Sequence, residues 1–301
     1  MELHYLEIFN TVARVQNYRK ASDMLHISQP ALSTEIKRLE DQLGLKLFDR
    51  TGNRLTLNQN GSMLQQYTTQ IFGIMEDMKG AVENAKGFVG GTLNIGASNT
   101  PGTYLLPTVM AAFQKQYPDT RFNVTVAATE EISEMTRAGA LDFAINGGKC
   151  QYSRCVCVEK LLDDRLVLAA SPQNPLVQRG PLQPKDLQGA GFIVHKPNSQ
   201  LYNYYIGLMQ QCGLPEHVVM SLGNIDAIKN AVMAGVGIAL VPEIAVRNEV
   251  CKGLLCLLDE SFAGLEYPYS LIYNKNRAVS ATALRFMEFS RSYLHGAAHV
   301  N

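Results

Sequence analysis

SQPALSTEIKRLEDQLG, residues 28–44, decides how the amino-terminal part of this 301-residue chain is read. Leu32, Ile36, Leu39 and Leu43 are spaced by four, three and four residues. At about 100° per residue they fall in one narrow stripe, the buried seam of a helix. Nearly opposite lie Pro30, Ser33, Thr34, Lys37, Arg38 and Asp41. Ser28 is placed to cap the helix, Pro30 is tolerated in its first turn, and Gly44 suits its end. The helix therefore carries a leucine seam on one side and small hydroxyls with two bases on the other.

The flanks give that outer face a purpose. Leu3, Leu6, Phe9, Val12 and Ala13 mark a first amphipathic helix, and Asn17 can cap a second over Tyr18–Leu25. His26-Ile27-Ser28 is then a tight turn between two short helices, a helix-turn-helix pattern. LKLFDRTGNRLTLNQNG (45–61) reads as two short strands around Thr51-Gly52-Asn53, a β-wing with Arg50 and Arg54 beside its tip. From Arg14 to Arg54 eight bases face five acids, a local excess in a chain of zero net charge. Gln29, Ser33 and Thr34 can bond base edges in a DNA major groove, and Lys37, Arg38, Arg50 and Arg54 can meet phosphates. The competing reading is a solvated face on an ordinary three-helix domain. Glu35 is either solvated or an acceptor from a cytosine amine.

No proline interrupts Asn58–Lys86. Leu64, Thr68, Ile71, Met75, Met78, Val82 and Ala85 take alternating heptad positions, the seam of a coiled coil. About 28 residues make a rod of about 40 Å, long enough to set two DNA-reading heads one helical turn apart. GFVGG (87–91) then reads as a hinge.

From Thr92 strands and helices alternate. TLNIGAS, RFNVTVA and LDFAI read as strands, with helices over Tyr104–Tyr117 and Glu130–Ala138. A second set follows with strands RLVLAAS, GFIVH, VVMSL and VGIALVP and helices near Ser199–Cys212 and Asp226–Ala234. YPYSLIYN adds a strand, and Ala281–Leu294 a helix that can return to the first set. The pattern predicts two α/β subdomains with mostly parallel sheets, joined near Leu162–Arg165 and near Glu266–Tyr269. Ligands bind such sheets at the carboxyl ends of strands, where helix N-termini favour anions.

Residues 1–60 resemble the winged helix-turn-helix of LysR-type transcriptional regulators. The carriers are ASDMLHISQPALSTEIKRLEDQLGLKLFDRTGNRLTLNQNG and the Leu-Phe-x-Arg step at 47–50. IGASNTPGTYLLP, ATEEISEMTRAGALDFAI and GNIDAIKNAVMAGVGIALVPE resemble the effector-binding half of the same family, itself similar to periplasmic binding proteins. The resemblance implies an α/β chain with an N-terminal all-α winged helix-turn-helix and a two-subdomain effector half. Its divisions would be a DNA-binding domain at 1–58, a dimerising linker helix and hinge at 59–91, and an effector-binding domain at 92–301. Within the last, subdomain I would comprise 92–163 plus 268–301, and subdomain II 164–267. By position, Gln29, Pro30, Ala31, Ser33, Thr34 and Lys37 would read DNA from the helix, and Arg50 and Arg54 from the wing. Thr34 and Glu35 stand where the family often has a basic or amide residue and a non-acidic one. The effector cleft would be lined by Ser98, Asn99, Thr100, Thr129, Asn146, Gly147, Pro197, Ser199 and Asn224. Several of these precede predicted helices, so they are either convergent ligands for a small organic or inorganic anion or simple N-caps. NGGKCQ (146–151) matches no effector class of the family. The implied partners are double-stranded DNA, a small anionic effector, a second copy in a homodimer or further copies in a homotetramer, and RNA polymerase at a promoter.

Other functions have little support in the residues. With 46% hydrophobic and 18% charged residues the chain can bury sizeable cores, and no apolar run approaches a membrane span. MELHYLEIFN lacks the features of an export signal, so a cytoplasmic protein with reduced thiols is expected. Cys150, Cys155 and Cys157 give C-x4-C-x-C, which is not a usual zinc spacing, and no two histidines lie four apart. No metal and no cofactor is expected. GASNT lacks the closing glycine of a nucleophile elbow, and Gly235-Val236-Gly237 follows a helix instead of opening one, so an enzyme is not expected. The alternatives are a cytoplasmic small-molecule-binding α/β protein and a redox-sensing regulator using its cysteines.

Overall fold

A computed structural model describes residues 2–51, 54–85, 89–179, 181–197, 199–258 and 265–298. The wing tip at Gly52-Asn53 and the first part of the expected hinge, Gly87-Phe88, lie outside them. The chain forms two compact units that part within the long helix, between Val82 and Glu83.

In the first unit α1 (Leu3–Val15), α2 (Tyr18–Leu25) and α3 (Gln29–Leu43) enclose one apolar core. Leu32, Ile36 and Leu39 are buried, as the seam of α3 requires, while Leu43 is half-buried. The ends follow local chemistry. Asn17 accepts from the Lys20 N–H at 3.0 Å, and Ser28 accepts from the Ala31 N–H at 3.3 Å. Gly44 closes α3 in the left-handed region, at φ +66°. Two strands, β1 (Phe48–Thr51) and β2 (Arg54–Leu57), pair antiparallel as the wing, so this all-α head carries one β-ribbon.

Glu40 joins the helical part of the head to the wing. Its carboxylate accepts from the Leu47 N–H at 2.9 Å and from the Lys46 ammonium at 2.6 Å. The carbonyls just before β1 are then used by the next segment. Asn58 donates to the Lys46 carbonyl at 2.9 Å, and a Cβ at Gly61 would lie 2.0 Å from the Leu47 oxygen. Only glycine lets the helix begin this close to the wing.

That helix is α4 (Gln59–Ala85). Leu64, Ile71 and Phe72 pack on the core of the head, and Thr68 is fully buried, donating to Asn10 at 3.3 Å. The expected heptad seam is thus divided. Leu64, Thr68 and Ile71 face their own chain. The exposed apolar residues of α4 are Met63, Tyr67, Ile74, Met78 and Val82, of which Met78 and Val82 belong to the expected seam.

The sheets of the second unit are not mostly parallel: one of five strands is mixed, one of four is antiparallel, and a separate two-stranded one is parallel. In the first, β3 (Gly91–Ala97) lies between β4 (Thr120–Val126) and β5 (Phe143–Gly147), parallel to both. β13 (Tyr269–Asn274) joins antiparallel to β5, and β6 (Val156–Leu162) antiparallel to β13. The reversal arises because the chain leaves for the second subdomain after β6 and returns as β13. Helices α5 (Asn99–Tyr104), α6 (Leu106–Gln116), α7 (Thr129–Ala138) and the terminal α11 (Ala281–Ala298) belong to this layer. Phe113 meets Phe286 and Phe289 at ring centroids 5.0 and 5.4 Å apart, which fastens α11 to α6.

The second subdomain is built on β7 (Arg165–Ala170). Its neighbours β10 (Ala239–Pro242), β11 (Cys256–Leu257) and β12 (Leu265–Glu266) are all antiparallel to it. β8 (Phe192–His195) and β9 (Val218–Leu222) pair in parallel, with α8 (Gln200–Cys212), α9 (Ile225–Met233) and α10 (Glu243–Cys251) around them. Among the described residues no helix is long and apolar enough to cross a membrane.

Replacing Glu40 by alanine strands the buried Leu47 N–H and should destabilise the head by about 1–3 kcal/mol. Hydrogen exchange of the α3 amides in the full chain checks this. Exchange at the wild-type rate would contradict it.

Candidate functional site

The outer face of α3 is open. Gln29, Pro30, Ala31, Thr34 and Lys37 are exposed and Ser33 is half-buried. Thr34 donates its hydroxyl hydrogen to the Pro30 carbonyl at 2.9 Å, so its oxygen remains as an acceptor for a base edge. Glu35 is neither simply solvated nor free. It accepts from the Arg38 guanidinium at 2.9 Å, which offsets one of the two bases of this face. The backbones of Arg50 and Arg54 sit in β1 and β2, paired with Leu55 and Thr51, and their side chains lie outside the described residues.

Six of the nine expected effector residues line one cavity of about 300 Å³ between the subdomains: Ser98, Asn99, Thr100, Thr129, Pro197 and Ser199. The carboxyl end of β3 delivers the first three, the start of α7 the fourth, and the entry to α8 the last two. Ser98 does not cap its helix. Its oxygen accepts from the Gly147 N–H at 3.0 Å, leaving its hydrogen to donate. Ser199 does cap, accepting from the Tyr202 N–H at 3.1 Å, and its hydrogen is likewise available.

The other three lie elsewhere. Asn146 is fully buried and donates to the Ser133 hydroxyl of α7 at 3.2 Å. Gly147 is covered by tyrosines, and a Cβ there would lie 2.8 Å from Tyr267 Cε1. Asn224 is exposed and caps α9, accepting from the Ala227 N–H at 2.7 Å, which is the simpler of the two roles open to it.

The sequence reading missed His195, Lys196 and Tyr267, which line the same cavity. Lys196 lies over Gly223, whose Cβ, if present, would be 3.1 Å from Lys196 Cε. Among the described residues it is the one formal charge of the lining, and none of them there is a carboxylate. Burial holds the His195 imidazole below its ordinary pKa, so at neutral pH it is uncharged, and its buried Nδ1 has no partner among the described residues. Tyr267 is buried with its hydroxyl toward Thr100, and burial pushes that phenol far up. The position of the two chain crossings was the only signal for Tyr267. His195 could have been found as the last residue of the strand GFIVH, and Lys196 as the residue that follows it.

Two contacts set how the subdomains meet. At the crossings, the half-buried Asp164 carboxylate accepts from the Arg165 N–H at 2.9 Å and the Tyr269 hydroxyl at 3.0 Å, and its carbonyl accepts from the Tyr267 N–H at 2.8 Å. On another side, Tyr104 of α5 donates to Asp226 of α9 at 2.7 Å. Lys229 completes that contact. Its buried ammonium reaches Glu249 at 2.9 Å and Asp226 at 3.2 Å, and stands 5.0 Å over the Tyr104 ring. α5 begins at the cavity and ends at this latch, so the two are mechanically linked.

A DNA-reading helix face joined to a two-lobed α/β cleft defines a ligand-responsive transcription regulator. The chain belongs to the LysR family: residues 3–62 match the bacterial regulatory helix-turn-helix protein, lysR family, and residues 86–294 match the LysR substrate binding domain. It is 32% identical over 291 residues to a probable RuBisCO transcriptional regulator of Porphyra purpurea, covering 95% of this chain and 92% of that one. Among solved structures it resembles full-length CbnR complexed with its target DNA, at TM-score 0.68 and 21% identity, with 97% of this chain and 99% of that one covered. It also resembles the Synechocystis CcmR regulatory domain in complex with 2-PG, at TM-score 0.62 and 20% identity, covering 68% of this chain and 97% of that one. The family consists of DNA-binding transcription regulators and not of enzymes.

Burial and the Asp226 contact push the Tyr104 phenol up to about 12. A folded pKa above the ordinary value means that the latch is intact below about pH 10 and weakens as pH rises from about 10 to 12. The wild type should therefore lose more stability across that range than Tyr104→Phe, measured by urea unfolding. Equal losses would show that the latch does not bear on folding.

Proposed function

We propose that this chain is a cytoplasmic, one-component regulator that binds a dyad-symmetric promoter site as a dimer and is switched by a small anionic metabolite. The composition of the cleft carries the reading. One lysine, several hydroxyls and the N-terminus of α8 converge on a space without a carboxylate, which is how a small anion is recognised. The 2-PG held by the CcmR regulatory domain is an anion of suitable size for such a cleft, and it is the favoured probe. A ligand acts by binding one arrangement of the subdomains more tightly than another. The exposed stripe of Met63, Tyr67, Ile74, Met78 and Val82 on α4 supplies the dimer contact. Pairing of dimers into a tetramer follows from the family. Redox control is the weaker alternative, because burial raises the Cys150 and Cys212 thiols and keeps them protonated.

Calorimetry with 2-PG tests the cleft. Lys196→Gln should weaken binding about tenfold to a hundredfold, the loss expected for one charge-assisted hydrogen bond. Unchanged affinity would remove Lys196 from the site. For the head, affinity for DNA upstream of the gene should fall steeply with salt. Lys37→Ala and Arg50→Ala should each lower the salt slope by about one, and Arg50→Ala should weaken binding on all sequences alike. A sequence-selective loss for Arg50→Ala, in gel-shift assays, would overturn its backbone role.

A further inference from the structure

The NGGKCQ segment, which the anion cleft does not use, forms one wall of a second and larger cavity of about 440 Å³. The opposite wall is one face of α7, where Glu130, Ser133, Glu134 and Arg137 follow at helical spacing. Thr129 and Gln200 border both cavities. Gln200 Nε2 and Glu130 Oε1 stand 3.5 Å apart, at the limit of a hydrogen bond, where the two cavities adjoin.

The lining of this second space carries two carboxylates, Glu130 and Glu134, and two bases, Arg137 and Lys149. Arg137 is neutralised by Glu134 at 2.5 Å, and Lys149 by Glu266 at 3.0 Å. Glu130 has no ion-pair partner among the described residues. Burial raises the Cys150 thiol and the Tyr152 phenol across the cavity, and the Glu130 carboxylate adds a small part of the rise. Behind the Ser133 wall the fully buried Asn146 leaves its Oδ1 without a partner among the described residues, and the Tyr152 hydroxyl is buried beside Asn146 and Cys150. A buried polar atom left without a partner costs free energy.

We propose that this cavity is a second small-molecule site, distinct from the anion cleft, that takes a primary ammonium group against Glu130 with its remaining polar atoms toward Ser133 and Tyr152. The ammonium supplies three donors, for the Glu130 carboxylate and for the Ser133 and Tyr152 hydroxyl oxygens. It competes with the long Gln200 contact, so occupancy is felt at the start of α8, where the anion cleft is built. Either a free amine or an amino acid can bring this group.

Thermal unfolding of the full chain in ethanolamine, glycine and ethylene glycol tests the site. Ethanolamine should raise the Tm saturably, and ethylene glycol, which lacks the ammonium, should not. A shift by glycine as well would assign the site to amino acids, and ethanolamine alone would assign it to amines. Glu130→Gln should abolish the ethanolamine shift, Tyr152→Phe should weaken binding several-fold, and Lys196→Gln should leave it intact. Because Glu130 is exposed, its variant should keep the unliganded Tm. As a second readout, ethanolamine should slow iodoacetamide alkylation of Cys150, followed by mass spectrometry. No saturable shift, an equal shift in Glu130→Gln, or a shift lost in Lys196→Gln would each overturn the proposal. The last result would put the amine in the anion cleft. Loss of 2-PG binding in Lys196→Gln with the amine shift retained would uphold both sites.

Discussion

The effector half depends on a single half-buried carboxylate at the place where its chain crosses twice. Asp164 follows the outgoing strand and gathers groups from the outgoing segment, the returning segment and the start of α10. Besides the bonds from Arg165, Tyr267 and Tyr269, its carboxylate lies 3.5 Å from the Ile244 N–H. Burial raises its pKa, and these donors counter the rise. Both crossings are therefore fixed at one point, and the subdomains share one pivot. The tyrosines of the return segment then take a defined path. Tyr204, Tyr267 and Tyr269 meet edge to face at 5.5 and 5.6 Å, over a floor that Gly147 and Gly148 keep low. Tyr267 is thus both part of the pivot and a wall of the anion cleft.

Around this pivot the two lobes present helix starts to each other. α7 comes from one lobe and α8 from the other, and Thr129 and Gln200 lie where the two cavities adjoin. One cavity carries a lysine and no carboxylate, while the other carries an uncompensated glutamate. The latch of Tyr104, Asp226 and Lys229 sits at the far end of α5 from the cleft. A ligand that moves Ser98–Thr100 pulls on a contact whose lysine is buried, although Asp226 is exposed. This is a means by which a small molecule can alter the relative stability of two arrangements.

Most of the architecture was legible because periodicity and capping are local. The α3 seam, the caps at Asn17 and Ser28, and the Gly44 stop follow from spacing and side-chain chemistry alone. Long-range features were not. The strand Val156–Leu162 was hidden because Glu159 and Lys160 interrupt its apolar pattern, although Glu159 meets the Tyr273 hydroxyl at 2.9 Å and Arg291. The helix expected from Tyr104 begins earlier and divides at Leu105, since Pro107 opens a new first turn. In α4 the heptad spacing could not tell which side the chain's own head would cover, and Thr68 proves to be an anchor to Asn10. At the cleft, hydroxyls before predicted helices were readable as a group. Tyr267 was not, because it arrives from the return crossing.

The central claim is that an anion in the cleft changes how the paired heads hold DNA. A DNase I footprint of the full chain on DNA upstream of its own gene, with and without 2-PG, tests it most directly. The account predicts two protected half-sites about one or more helical turns apart, with an extent that changes on adding 2-PG in the wild type and not in Lys196→Gln. A footprint confined to one half-site, or one that 2-PG alters equally in both proteins, would contradict it.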